Sequence, residues 1–231
     1  MKIISMSVWG NDPRYITGAL KQYELAQLYY PDWQFRIYTD DRNKFIGQIL
    51  KAHIIECKDG SYGMYWRFQP LFEHPNNIVL VRDSDSRITY RESLAVKEWL
   101  QSKKKFHTFR DHEAHFEFPI IGCAFGHKGQ FNGDAFDKML EYRSKFNYYV
   151  GDQIFLRDVI YPLVKDDILV HSMNEGWFGE TRTKLVNPYD FCGNGYDEND
   201  MPLYAPTLAE NHGFKPKDAP PGIKFNNGLL K

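Results

Sequence analysis

Along the first 172 residues the apolar positions alternate between two periods, one suited to extended chain and one to helix. Residues 2–8 read as a buried strand, and Gly10-Asn11-Asp12 closes it. From Ile16 the apolar positions recur at Leu20, Tyr23 and Leu28, near helical spacing, until Pro31 ends the run. Residues 33–41 predict a second strand with an acidic end, 43–53 a short helix and 54–57 a small strand. Residues 63–72 predict a helical turn that Pro70 starts or interrupts. Ile78–Val81 is a continuous aliphatic run of the kind buried on both faces of a parallel sheet.

Thr89 and Glu92 have capping-box spacing and open a predicted helix through Ser102. A strand over 105–110 and a glycine-punctuated strand or turn over 119–129 follow. Helices around 134–144 and 152–163 precede a closing strand at 167–171. Strands alternating with helices predict an α/β domain over 1–172, with a mainly parallel sheet flanked by helices. Beyond residue 172 the pattern weakens and Pro, Gly and Asn are frequent. Residues 173–231 therefore read as an extension, packed on the core or partly disordered.

Composition narrows the function. A formal net charge of -1 gives no reason to expect nucleic acid or an anionic membrane surface. Aromatic residues make up 16%, which suits stacking on bases and sugar rings as well as cores. Cys57, Cys123 and Cys192 are far apart and predict neither a disulfide framework nor a cysteine zinc site. No apolar run reaches the roughly 18 residues of a membrane span, and the first residues turn polar too soon for a secretory leader. The expectation is a reduced, soluble, cytoplasmic protein.

The chemistry concentrates where the aliphatic run ends, in Arg82-Asp83-Ser84-Asp85-Ser86-Arg87. Aspartate is a poor strand residue, and two carboxylates this close repel unless a cation or water holds them. A solvated strand end is the bland reading. A phosphorylated aspartate fits badly, since such a site usually follows the first strand. The third reading is a Mg²⁺ or Mn²⁺ site for a nucleotide diphosphate, because hard oxygens suit these ions and such sites lie beyond strand carboxyl ends.

Taken in order, residues 65–100, 109–112, 120–129, 151–171 and 191–204 resemble a group of small GT-A-like, D-x-D glycosyltransferases of bacteria, phages and large DNA viruses. The D-x-D, the later Asp152-Gln153 and the strand-ending His171 are also similar to glycosyltransferase family 8. The resemblance implies a Rossmann-like GT-A fold. It implies a metal held by Asp83, Asp85 and His171, with Asp85 the more direct ligand and Asp83 on ribose or metal. It further implies donor contacts from Arg67 and from Ser7, Trp9 and Gly10 at the first strand's exit, and close backbone approach at Gly122 and Gly126. Asp152, Gln153 and Asp111 are the candidates for acting on the reacting sugar or the acceptor hydroxyl, with His112 beside Asp111. Each has a plainer reading: Trp9 as core, Asp152 as a helix cap, His171 as a structural histidine, and Arg82 and Arg87 as ion-pair partners of the aspartates.

The expected function is metal-dependent transfer of a sugar from a nucleotide-diphosphate sugar, by default UDP-linked, to a glycan or other hydroxyl acceptor. A hydroxymethylated phage DNA base is a further acceptor class, unsupported by the charge. Two rivals are a sugar nucleotidyltransferase and a non-catalytic nucleotide-sugar-binding module. The first would normally carry a glycine-rich phosphate loop after the first strand, which residues 7–15 match poorly.

Overall fold

The computed structural model describes residues 1–45, 47–49, 51–58, 63–112, 115, 118–172 and 191–203. Its centre is a seven-stranded sheet in the order β3-β2-β1-β4-β6-β5-β7. The strands are β1 (Lys2–Val8), β2 (Gln34–Thr39), β3 (His53–Glu56), β4 (Ile78–Arg82), β5 (Phe106–Arg110), β6 (Ala124–Lys128) and β7 (Ile168–Ser172). β1 to β4 run parallel, β5 pairs parallel with β7, and β6 runs antiparallel to both β4 and β5. The sheet is thus mixed and mainly parallel.

Helices cover both faces. α1 (Pro13–Tyr29) starts at an N-cap Asp12 that accepts from the Arg14 amide, with Pro13 in its first turn. It begins three residues earlier than the apolar spacing alone suggests. α2 (Tyr90–Gln101) is capped by Thr89, which accepts from the Glu92 amide. The predicted capping box is only half made. The Glu92 carboxylate instead turns inward to Arg82 Nε at 2.9 Å, a pair almost wholly buried.

α3 (Gly133–Lys145) and α4 (Gly151–Phe155) follow, and α4 runs through a π-helical turn at Leu156–Ile160 into α5 (Tyr161–Val164). The face carrying α3 to α5 buries Phe68, Phe106, Phe125 and Phe155, while Ile4, Met6, Ile37 and Leu80 lie in the cluster on the other with residues of α1 and α2.

The short helix expected over 43–53 does not form as such. A 3₁₀ turn spans Arg42–Phe45, and Gly47 at φ +79 turns the chain out of helical conformation. Residues 63–72 are a ten-residue 3₁₀ helix, a geometry that tolerates Pro70. Among the described residues no helix is long and apolar enough to cross a membrane. The three cysteines are free. Of the C-terminal extension, residues 191–203 pack on the core, and the rest lies outside the described residues.

Candidate active site

The parallel strands β1 and β4 end side by side, and the segments leaving them build a cluster of charge. Arg67, from the 3₁₀ helix, is its hub. Its backbone is fixed to β1 twice: the Ser5 hydroxyl donates to the Arg67 carbonyl at 2.7 Å, and the Arg67 amide donates to Ser7 Oγ at 2.9 Å. Ser7 is therefore spent on holding Arg67. The guanidinium then donates to Asp83 and, at 2.6 Å, to Asp152 Oδ2. Burial opposes the Arg67 charge, but Asp83 and Asp152 outweigh it and hold the guanidinium protonated.

Asp152 is buried at the start of α4. Burial pushes its carboxyl upward, with Arg67 pulling the other way. The helix cap is not Asp152 but Val150, which sits at φ +67 without a side-chain cap. A β-branched residue in the left-handed region is strained, and such strain collects at functional sites. Gln153 Oε1 accepts from the Gly122 amide at 3.1 Å, tying α4 to the segment before β6. A Cβ on Gly122 would come within 2.9 Å of Arg67 Nη2 and 3.1 Å of Asp152 Oδ2. Gly122 is thus a glycine because the cluster fills the space beside it.

Asp85 occupies the other lobe. Arg14 Nε approaches its Oδ2 at 3.5 Å, and burial together with Asp83 pushes its carboxyl up to about 6. The Arg14 guanidinium also lies 4.4 Å over the Tyr15 ring, which stacks on Trp9 at 6.4 Å. Trp9 is half-buried beside the β1 exit, and a Cβ on Gly63 would collide with its ring. Gly10 takes φ +69, its amide donating to Asp40 at 3.0 Å.

Three carboxylates, Asp83, Asp85 and Asp152, face two guanidinium groups, so the cluster carries one excess negative charge. Such a site favours a cation. Among the described residues no group of three or more His, Cys, Asp or Glu side chains could hold a metal ion. Asp83 and Asp85 offer two hard oxygen donors of the kind that could hold a Mg²⁺ or Mn²⁺.

His171 is not brought to the aspartates. It lies on β7, three strands from β4, about 14 Å at the ordinary strand spacing of about 4.8 Å. Both ring nitrogens are engaged: Nδ1 with His107 Nε2 at 2.7 Å, and Nε2 with Glu98 at 3.0 Å. The structure therefore keeps the His171 side chain apart from Asp83 and Asp85. Asp111 is also separate. It is fully buried, bidentate to Arg91 at 2.6 and 2.9 Å, and accepts from the Cys192 amide at 3.0 Å. A carboxylate so committed is a poor base. His112 is buried as well, its ring stacked on Phe191. Nor do Arg82 and Arg87 pair with the aspartate side chains. Arg82 serves Glu92, and Arg87 holds Asp200 and the backbone carbonyls of Asp85 and Ser86.

Three supports were not read from the sequence. Gln22, buried in α1, donates to the Asp83 carbonyl and Ser86 Oγ and accepts from the Ile88 amide, gripping the whole turn. Gly18 lets α1 approach that turn, since a Cβ there would overlap the Ser84 carbonyl. Residues 191–203 cover it from outside, the Tyr196 amide donating to the Asp85 carbonyl at 2.8 Å. Only a polar residue among the apolar positions of α1 could have pointed to Gln22.

No protein-family model matches the chain, and no curated protein matches it. Among solved structures it is similar to the galactosyltransferase LgtC in complex with donor and acceptor sugar analogs, at 13% identity and TM-score 0.48 over 75% of this chain and 74% of that one. It is also similar to a glycosyltransferase involved in glycosylation of the major capsid of PBCV-1, at 13% identity and TM-score 0.46 over 74% and 81%. An active-site mutant of LgtC gives 10% identity and TM-score 0.49 over 91% and 99%.

Proposed function

We propose that the chain is a metal-dependent glycosyltransferase that uses a nucleotide-diphosphate sugar, by default a UDP-sugar, and a carbohydrate hydroxyl as acceptor. The observation that carries this is Arg67 bridging Asp83 of the D-x-D and Asp152 of the Asp-Gln pair at the carboxyl ends of β1 and β4. The bridge joins two of the motifs that carry the resemblance to D-x-D glycosyltransferases. Such strand ends are also where ligands of open α/β sheets bind.

The metal would be held by Asp83 and Asp85, and it supplies charge stabilisation for the departing diphosphate. Arg67 supplies a second, fixed positive charge beside the same leaving group. Trp9 and Tyr15, stacked at the β1 exit, offer an aromatic wall for base or ribose. Transfer breaks the bond between the anomeric carbon and the diphosphate oxygen, which leaves with the electron pair. The acceptor oxygen forms the new bond and gives up its proton. Asp152, poised by burial and Arg67, accepts that proton or stabilises the positive charge at the anomeric carbon. Gln153 sets the angle of α4 through the Gly122 amide. The near-neutral charge of the chain favours a glycan over DNA as acceptor.

The two rivals carry less. A nucleotidyltransferase would present a phosphate-cradling loop after β1. Here that exit holds Trp9, a Gly10 fastened to Asp40, and an α1 that starts on Asp12-Pro13. A binding module would hold the donor without turning it over, so donor release separates it from an enzyme. The reading is tested by thermal unfolding with UDP and Mn²⁺, UDP and chelator, and ATP and Mn²⁺. A rise confined to the first supports it, because a ligand bound only to the folded chain stabilises by mass action. An equal rise with ATP, or none with any nucleotide, removes it.

A further inference from the structure

Two guanidinium groups serve the carboxylate cluster, and they are held in opposite ways. Arg67 is buried, its backbone fixed to β1 and its side chain bonded to both Asp83 and Asp152. Arg14 has a side chain 29% exposed, and among the described residues its one ion pair is Nε to Asp85 Oδ2 at 3.5 Å. That separation is long for a hydrogen bond. Among the described residues Arg14 Nε makes no hydrogen bond, although the atom is closed to solvent.

The helix does not account for a cation here. Arg14 stands in the first turn of α1, at the positive end of the macrodipole, where a carboxylate is favoured. What steadies the group is Tyr15. Arg14 Nη2 donates to the Tyr15 hydroxyl, and the guanidinium lies 4.4 Å over that ring. Arg14 is thus a cation resting on an aromatic side chain, with one loose contact to a carboxylate of the D-x-D.

A divalent ion at Asp85 changes the balance. It repels a guanidinium beside the same carboxylate twice as strongly as a single charge would. Arg67 is too firmly bonded to give way, whereas Arg14 loses only its long contact when it swings aside. The displaced guanidinium then needs an anion. A diphosphate supplies one, and the planar fork of arginine matches two phosphate oxygens at once.

We infer that Arg14 is a further diphosphate-positioning residue, one that competes with the divalent ion for Asp85 until the donor draws it away. The inference rests on the proposed function, in which Asp83 and Asp85 hold the metal and the donor carries a diphosphate. Without nucleotide, Arg14 lowers the affinity of the site for the ion. With nucleotide, it adds to the hold on the diphosphate. Metal and donor are thereby coupled through one side chain, each raising the affinity for the other.

The test is calorimetric titration of the whole chain with Mn²⁺ alone and, at saturating Mn²⁺, with UDP, for wild type and Arg14→Met. The substitution keeps an unbranched stem against Tyr15 and removes the charge. The two shifts should have opposite signs, with Mn²⁺ binding about tenfold tighter and UDP binding about tenfold weaker. Arg14→Gln, which keeps a donor for the Tyr15 hydroxyl, should move both in the same directions and decides the matter if Arg14→Met fails to fold. A residue that merely props up Asp85 would weaken both bindings when replaced. That result, or an unchanged affinity for either ligand, overturns the inference and leaves the proposed function standing. A wild type that binds neither Mn²⁺ nor UDP removes the proposed function and this inference with it.

Discussion

Arg67 meets Asp152 at 2.6 Å across 85 positions of sequence, and each side chain is more than nine-tenths buried. The pair joins the 3₁₀ helix beside β1 to the start of α4, two segments that share no strand. Removing one partner of a buried pair leaves the other charge uncompensated. Arg67→Ala exposes Asp83 and Asp152 to each other and should lower unfolding stability by about 3 kcal/mol. Urea denaturation checks this, and a loss below about 1 kcal/mol would mean that the bridge carries little of the fold.

Gly18 gives a prediction of unusual sign. Glycine to alanine inside a helix ordinarily stabilises by up to about 1 kcal/mol. Here the added Cβ would overlap the Ser84 carbonyl and lie 3.0 Å from the Asp85 Cα, both backbone atoms. Gly18→Ala should therefore destabilise by about 1–3 kcal/mol and weaken Mn²⁺ binding, because α1 must move off the D-x-D turn. A stabilised variant would show that the close approach is not needed.

His171 should be neutral toward metal. Its nitrogens serve His107 and Glu98, and β7 lies three strands from the aspartates. His171→Gln is expected to leave Mn²⁺ affinity, measured by calorimetry, within about twofold of wild type, whereas Asp85→Ala should abolish it. Equal losses in the two variants would restore His171 to the metal shell.

Acid stability reports on His127. Its folded value near 4 lies below the ordinary 6.5, so the unfolded chain binds this proton more tightly. The contribution is fully present above pH 6.5 and is lost as pH falls from there towards 4. His127→Phe should shrink the loss of unfolding free energy between pH 7 and pH 4 by on the order of 3 kcal/mol. Parallel pH curves for variant and wild type would show that the imidazole is not so perturbed.

What was legible in the chain followed local chemistry. The aliphatic residues of β1 and β4, the Thr89 cap and the placement of Asp83 and Asp85 at a strand end can each be read within a dozen residues. Strand order cannot be read this way. Nothing local shows that β6 runs antiparallel and inserts between β4 and β5, and that insertion is what carries His171 away from the aspartates. The partners of Asp111 are hidden for a similar reason, since Arg91 and Cys192 lie 20 and 81 positions away. The helix expected over 43–53 failed for a local reason, a glycine at positive φ within an otherwise helical composition. The hold of Arg67 on both Asp83 and Asp152 is a tertiary fact, reaching across 16 and 85 positions.

The central claim is that Asp152 acts on a sugar being transferred. It is tested most directly by nucleoside diphosphate release from UDP-sugars with Mn²⁺, comparing wild type with Asp152→Asn. The substitution keeps size and one hydrogen-bond acceptor for Arg67 while removing the charge. Mn²⁺-dependent release is expected from the wild type and a fall of about a hundredfold or more in the variant, with UDP affinity changed much less. Release at the wild-type rate by Asp152→Asn, or no release from any UDP-sugar by a wild type that binds UDP, would contradict it.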